Sequence, residues 1–160
     1  MSNKLTPSDR SFARGLHALE TGNSLEALAF FESSLKLDES APNVARRARI
    51  TSYYGYCLAA ALGRTREGLT ICKKAASSEF FSPEILLNLA KVHLLAGQRR
   101  EAWDTLMKGL SVDPDHDGLR AALRGMGIRK RLAIPFLERS HPLNRAAGRM
   151  SAKRKSASRK

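Results

Sequence analysis

The segment Asp113-Pro114-Asp115-His116-Asp117-Gly118 sets carboxylates at alternate positions ahead of a glycine, which is how a loop that wraps a calcium ion begins. Such a loop closes on a bidentate Glu at its twelfth position, and Arg124 stands there instead. The remaining reading is an acidic helix start, where Asp side chains complement the positive end of the helix dipole. Cys57 and Cys72 are the only cysteines, and the histidines fall at 17, 93, 116 and 141. No two of them share the short spacing by which neighbouring ligands grip a metal ion. Both thiols are therefore expected as small buried side chains, although the two could approach each other across a helix pair. His93, among Leu89, Val92 and Leu94, reads as a packed histidine rather than a base. No nucleophile elbow, phosphate-binding glycine loop, H-E-x-x-H pair or dinucleotide turn occurs. The expectation is a protein with no enzyme activity, no metal and no cofactor.

Whatever these residues do, short helices must position them. Thr6-Pro7 with Asp9 joins a capping hydroxyl, a proline whose missing N–H costs nothing there, and a first-turn acid. Phe12, Leu16 and Leu19 then recur at helical spacing until Gly22. Ser24 is read as the cap of a second helix with the stripe Leu25, Leu28, Phe31 and Leu35. Pro42 opens a third that reaches Leu62 and stops at Gly63. Thr65 caps a fourth, to about Ser77, and Ser82-Pro83-Glu84 starts a fifth that ends at Gly97. A sixth spans about Arg99 to Ser111, and Asp115 to Met126 forms a seventh. Isolated helices this short are marginal in water, so each needs a neighbour's apolar face.

The helices repeat as pairs. Gly22 is followed by Ala27, Phe31, Ser34 and Leu35, and Gly97 at the same intervals by Ala102, Leu106, Gly109 and Leu110, with Pro114 closing the unit. A degenerate copy, Gly63, Gly68, Cys72, Ala75 and Ala76, lies between them. Gly15, Gly55 and Ala90 supply a small residue on each preceding helix. Small residues at matched places let paired helices approach closely, and the bulky residue four later fills the gap. This pattern resembles the tetratricopeptide repeat (TPR) over residues 7–114. The resemblance implies an all-α, right-handed superhelix of three helix-turn-helix pairs, with the last helix as a cap. A non-repetitive six-helix bundle is the alternative architecture.

What a TPR stack implies is binding of a partner peptide or helix in a concave groove lined by the first helix of each pair. By that resemblance the groove-facing candidates are Phe12, Leu16, Arg49, Tyr53, Tyr56, Leu87, Asn88 and Lys91. Tyr and Arg are frequent interface anchors, and ordinary packing between helices is the competing reading for each residue. TPRs that bind chaperone tails grip a terminal carboxylate with Lys and Asn on successive inner helices. Asn88 matches one such place, but Asp9, Ala13 and Tyr53 occupy others, so that clamp is not expected.

The chain has 160 residues with 28 Lys/Arg against 15 Asp/Glu, a net charge of +13. Residues 120–160 hold 13 of the cations against the single acid Glu138, so the excess is concentrated at the end. A helical body over 1–126 followed by a basic extension over 127–160 is the expected organisation. Within the extension, Arg129, Lys130 and Arg131 precede the apolar run Leu132, Ile134, Pro135, Phe136 and Leu137, and Pro142 precedes Leu143 and Arg145. Its prolines forbid one continuous helix. Contacts through Arg129, Lys130, Arg131, Phe136 and Arg145 fit several readings: docking on the chain's own body, another protein, an anionic membrane surface or nucleic acid. Solvation alone is the plainest, and the last ten residues, SAKRKSASRK, hold too little apolar surface to order. Few aromatics and β-branched residues argue against a strand-rich fold, and no apolar run is long enough for a membrane helix. Two cysteines make no disulfide framework, and a cytoplasmic, non-catalytic adaptor is expected, with nucleic-acid association through the extension as the alternative.

Overall fold

The computed structural model describes residues 5–38 and 43–127. All of these belong to the first of the two units into which the chain divides, Met1–Met126, except Gly127. Among the described residues there are seven helices and no strand: α1 (Pro7–Glu20), α2 (Ser24–Leu37), α3 (Val44–Leu62), α4 (Thr65–Ser78), α5 (Pro83–Leu95), α6 (Arg99–Val112) and α7 (Asp117–Gly125). None is long and apolar enough to cross a membrane.

The helix starts follow local chemistry, with three departures from the sequence reading. At α1 the Thr6 hydroxyl accepts from the Asp9 N–H while the Asp9 carboxylate accepts from the Thr6 N–H, a reciprocal capping box. Ser82 caps α5, as expected. The cap of α2 is Asn23 rather than Ser24, because its amide oxygen reaches the Glu26 N–H. Thr65 is the first residue inside α4; the cap position belongs to Arg64, whose side chain makes no capping bond. At α7 the His116 imidazole Nδ1 accepts from the Leu119 N–H, so the helix starts at Asp117, two residues after the expected Asp115. Asn43 caps α3, and Pro42 lies outside the described residues. Gly22, Gly63 and Gly97 all take a positive φ (81°, 67° and 74°) at the turns that join α1 to α2, α3 to α4 and α5 to α6. Only glycine adopts that conformation without a steric penalty.

Each pair then closes through its small residues. A Cβ placed on Gly15 would fall 2.6 Å from the ring of Phe31, and one on Gly55 would fall 2.8 Å from Cys72 Sγ. In the third pair Ala90 and Leu106 share one cluster with no exposure. Phe31, Cys72 and Leu106 are thus the residues that fill the matched gaps. The second pair is drawn closer still, since a Cβ on Gly68 would lie 2.5 Å from the Gly55 carbonyl oxygen. Ser8 and Ser34 fasten the first pair: each hydroxyl donates to the other's backbone carbonyl at 2.9 Å, both fully buried. Successive pairs stack through α2 on α3, α4 on α5 and α3 on α5, and α7 covers α5 and α6 with Leu119.

Candidate functional site

The first helices of the pairs, α1, α3 and α5, carry the candidate groove residues. On α3, Arg49, Tyr53 and Tyr56 fall at i, i+4 and i+7, one stripe of a helix. Arg49 is exposed and both tyrosines are half-buried. The Tyr53 ring stands edge-on to Phe12 of α1, with centroids 5.4 Å apart, and lies 5.1 Å from Phe31 of α2. Phe12 and Phe31 are themselves 5.5 Å apart, so the rings join α1, α2 and α3 in one cluster. The Arg49 guanidinium caps this cluster, 4.6 Å above the Phe12 centroid.

The same guanidinium reaches α5. Its Nε donates to Glu84 Oε2 at 2.5 Å and its Nη2 donates to Oε1 at 3.0 Å, a two-point grip. The Tyr53 hydroxyl donates to the same carboxylate. Burial opposes charge on Glu84, but the hydrogen bonds from Arg49 and Tyr53 outweigh it and hold the carboxyl below its ordinary value. Burial, then the hydrogen bond to Glu84, pushes the Tyr53 phenol up. Glu84 is the central residue that the sequence reading saw only as a first-turn acid. Its signal was the sequence separation from Arg49, since Tyr56 and Lys91 repeat the same offset one level along. At that level the Lys91 ammonium sits 4.9 Å from the centroid of the Tyr56 ring. Burial lowers the Lys91 pKa and raises that of Tyr56.

A second charged group ties the helix starts together. Arg46 of α3 donates to the Thr6 hydroxyl at 3.1 Å and lies 3.5 Å from Asp9. Its Nη2 is 2.9 Å from the buried Asp38 at the end of α2, within ion-pair distance although not aligned for a hydrogen bond. Beside it, Asp9, Phe12, Arg46, Arg49, Ile50 and the exposed Phe81 line an open cleft of about 470 Å³.

The candidates divide by exposure. Leu16, Arg49, Tyr53, Tyr56 and Lys91 keep part of their side chains at the surface. Phe12, at 8% exposure, lies in the ring cluster beneath Arg49. Leu87 packs with Leu106 and Leu119 and is covered by α7 at Gly118. Asn88 is 1% exposed, and its amide donates to Ser52 Oγ at 3.1 Å, bonding α5 to α3. Arg129, Lys130, Arg131, Phe136 and Arg145 lie outside the described residues.

The other residues with chemical potential are placed by packing. Cys57 and Cys72 are free thiols with no exposure, and burial pushes each up to about 12. His93 is 4% exposed, with Nδ1 2.7 Å from the Gln98 side-chain oxygen. Among the described residues no group of acidic, Cys and His side chains converges for a metal ion.

The backbone of the Yersinia enterocolitica type III secretion translocator chaperone SycD, known from a crystal structure, is similar to this one at a TM-score of 0.54. The likeness covers 74% of this chain and 90% of that one, at 15% sequence identity. This chain has an all-α, TPR-like fold. At that identity the likeness carries the fold alone. No protein-family model matches the sequence, and no curated protein matches it.

Proposed function

We infer that this chain is a non-catalytic interaction protein whose α1, α3 and α5 receive a peptide or helix from a partner protein. One observation carries the reading: Arg49, Tyr53 and Tyr56 stand in one stripe, with Leu16 and Lys91 on the flanking helices, all partly exposed. Arg and Tyr recur as interface anchors because each offers a large, stiff contact area with a polar end. The Glu84 carboxylate fixes Arg49 and Tyr53 before any partner arrives, which reduces the entropy lost on binding. Leu16, Arg49, Tyr53, Tyr56 and Lys91 make the contacts, while Phe12 supports Arg49 and Tyr53 from beneath, Asn88 holds α5 to α3, and Leu87 packs toward α7. Likeness in fold to a protein named as a translocator chaperone favours a protein as the partner. The body is three TPR-like units capped by α7 within residues 1–126, and the basic extension over 127–160 adds electrostatic attraction or a second contact.

The test is a nuclease-treated pull-down from native lysate. It compares the full chain, a full chain with Arg129, Lys130 and Arg131 changed to Gln, and a Leu16→Ser variant. Protein partners that survive the nuclease and the neutralised extension, and fall away with Leu16→Ser, support the groove. Partners that vanish with the nuclease overturn it in favour of nucleic-acid association.

A further inference from the structure

Two levels of side chains cross the inner helices, and they differ in charge balance. At the first level Asp9 lies against Arg46 and Arg49 is gripped by Glu84, so each cation already has a carboxylate. Two turns further on, at i+7 from Asp9, Arg49 and Glu84, stand Leu16, Tyr56 and Lys91. A residue on α3 and the residue 35 positions later on α5 meet at the first level. The same offset joins Tyr56 to Lys91, which meet at the second. There the ammonium has an aromatic face but, among the described residues, no carboxylate within 4.0 Å. Leu16 and Tyr56, both half-buried, give that level an apolar surface against the first core cluster.

A half-buried cation has lost part of its hydration, and an aromatic ring replaces only some of it. A partner charge arriving at the first level would have to displace a formed ion pair. One arriving at the second meets, among the described residues, no ion pair that it must break. We propose that the second level is an acceptor site for a side-chain carboxylate of an acidic, apolar partner segment. The carboxylate pairs with Lys91 Nζ, and an apolar residue beside it covers Leu16 and Tyr56. This rests on the groove reading and deepens it by naming the chemistry of the occupant. Burial lowers the Lys91 pKa and outweighs the opposing charge of Glu84, in keeping with a cation that no carboxylate touches among the described residues.

The probe is a phage-displayed library of short random peptides selected on the full chain at physiological salt. Selected peptides are then synthesised and titrated against the native chain, Lys91→Met and Lys91→Glu. Met keeps the stem over the Tyr56 ring, and a circular-dichroism melt verifies folding. Asp or Glu beside an apolar residue is the expected enrichment, with affinity falling about tenfold or more on Lys91→Met. Lys91→Glu restores binding to a peptide whose acid is exchanged for Lys. Peptides without an acidic preference overturn the inference and leave the groove reading standing. Acidic peptides that bind Lys91→Met unchanged also overturn it, because a cation other than Lys91 then holds them. If no peptide is selected, the groove reading falls with the inference.

Discussion

At the scale of single residues, the inner face is organised by Glu84. Its carboxylate receives Arg49 and Tyr53 from α3, so one side chain couples two repeat units. The Arg49 side chain is 45% exposed and that of Glu84 27%, so solvent screens the pair. Glu84→Gln is expected to cost about 1 kcal/mol in urea denaturation at neutral pH. The carboxyl titrates below its ordinary 4.5 in the folded chain, so its stabilisation is complete above that value and lost as the pH falls through the depressed one. Stability of the native chain should therefore drop more steeply than that of Glu84→Gln below about pH 4.5; parallel acid limbs would refute the assignment. Cys57 and Cys72 give a second expectation, because thiols with no exposure and a pKa near 12 present almost no thiolate at neutral pH. Iodoacetamide at neutral pH should label neither in the folded chain and both in urea, read by mass spectrometry.

At the scale of elements, the pairs are set by how close two helices can come. Gly68 against the Gly55 carbonyl is the tightest approach, and it explains why the second unit lacks the alanine and the bulky residue (Phe31, Leu106) of its neighbours. With Gly on both helices and Cys72 in the gap, no room remains for Phe. Gly68→Ala brings a helix-propensity gain of about 1 kcal/mol but forces a Cβ against backbone. The net expectation is a loss of about 1–2 kcal/mol in denaturation midpoint experiments. Gly125, where a Cβ meets nothing, is the control, and Gly125→Ala should be neutral or stabilise by a few tenths of a kcal/mol. The pairing was legible because Gly15, Gly55 and Ala90 recur against Phe31, Cys72 and Leu106. Three helix starts were less so: Asn23, Arg64 and His116 hold cap positions beside residues with equal or better capping chemistry. Local propensity ranks such neighbours, and the entry angle of the chain chooses between them.

At the scale of the molecule, stability is a chain of nearest-neighbour stackings. Leu119 of α7 is fully buried against Leu106 and Gly109, and it closes the last pair. Leu119→Ala should cost about 2–4 kcal/mol. Hydrogen exchange should show the loss in α5 and α6 first, with α1 and α2 retaining protection. Uniform loss of protection across all the helices would instead mean that the units do not unfold separately. The first and second inner helices are linked differently from the second and third. α1 reaches α3 through the rings of Phe12 and Tyr53 and the ion pair of Asp9 with Arg46, and the open cleft lies beside them. α3 meets α5 through Ser52 and Asn88 in direct contact as well as through the grip of Glu84 on Arg49 and Tyr53, and the helices lie together.

By itself the sequence determined the helical class, the pairing of helices and the concentration of cations after residue 119. Each of these is local or periodic: a glycine at a turn, a small residue facing a bulky one, a count of charges. Tertiary structure alone decided which inner-helix residues face outward. Leu16, Tyr53 and Tyr56 share a type class with Phe12 and Leu87, yet only packing against Phe31 and α7 removes the latter two from the surface. It likewise decided that Asn88 bonds to Ser52, that Glu84 holds Arg49, and that Lys91 has a ring but, among the described residues, no carboxylate within 4.0 Å. Such pairings join residues far apart in sequence, and their distances are set by how the helices stack rather than by any spacing within one helix.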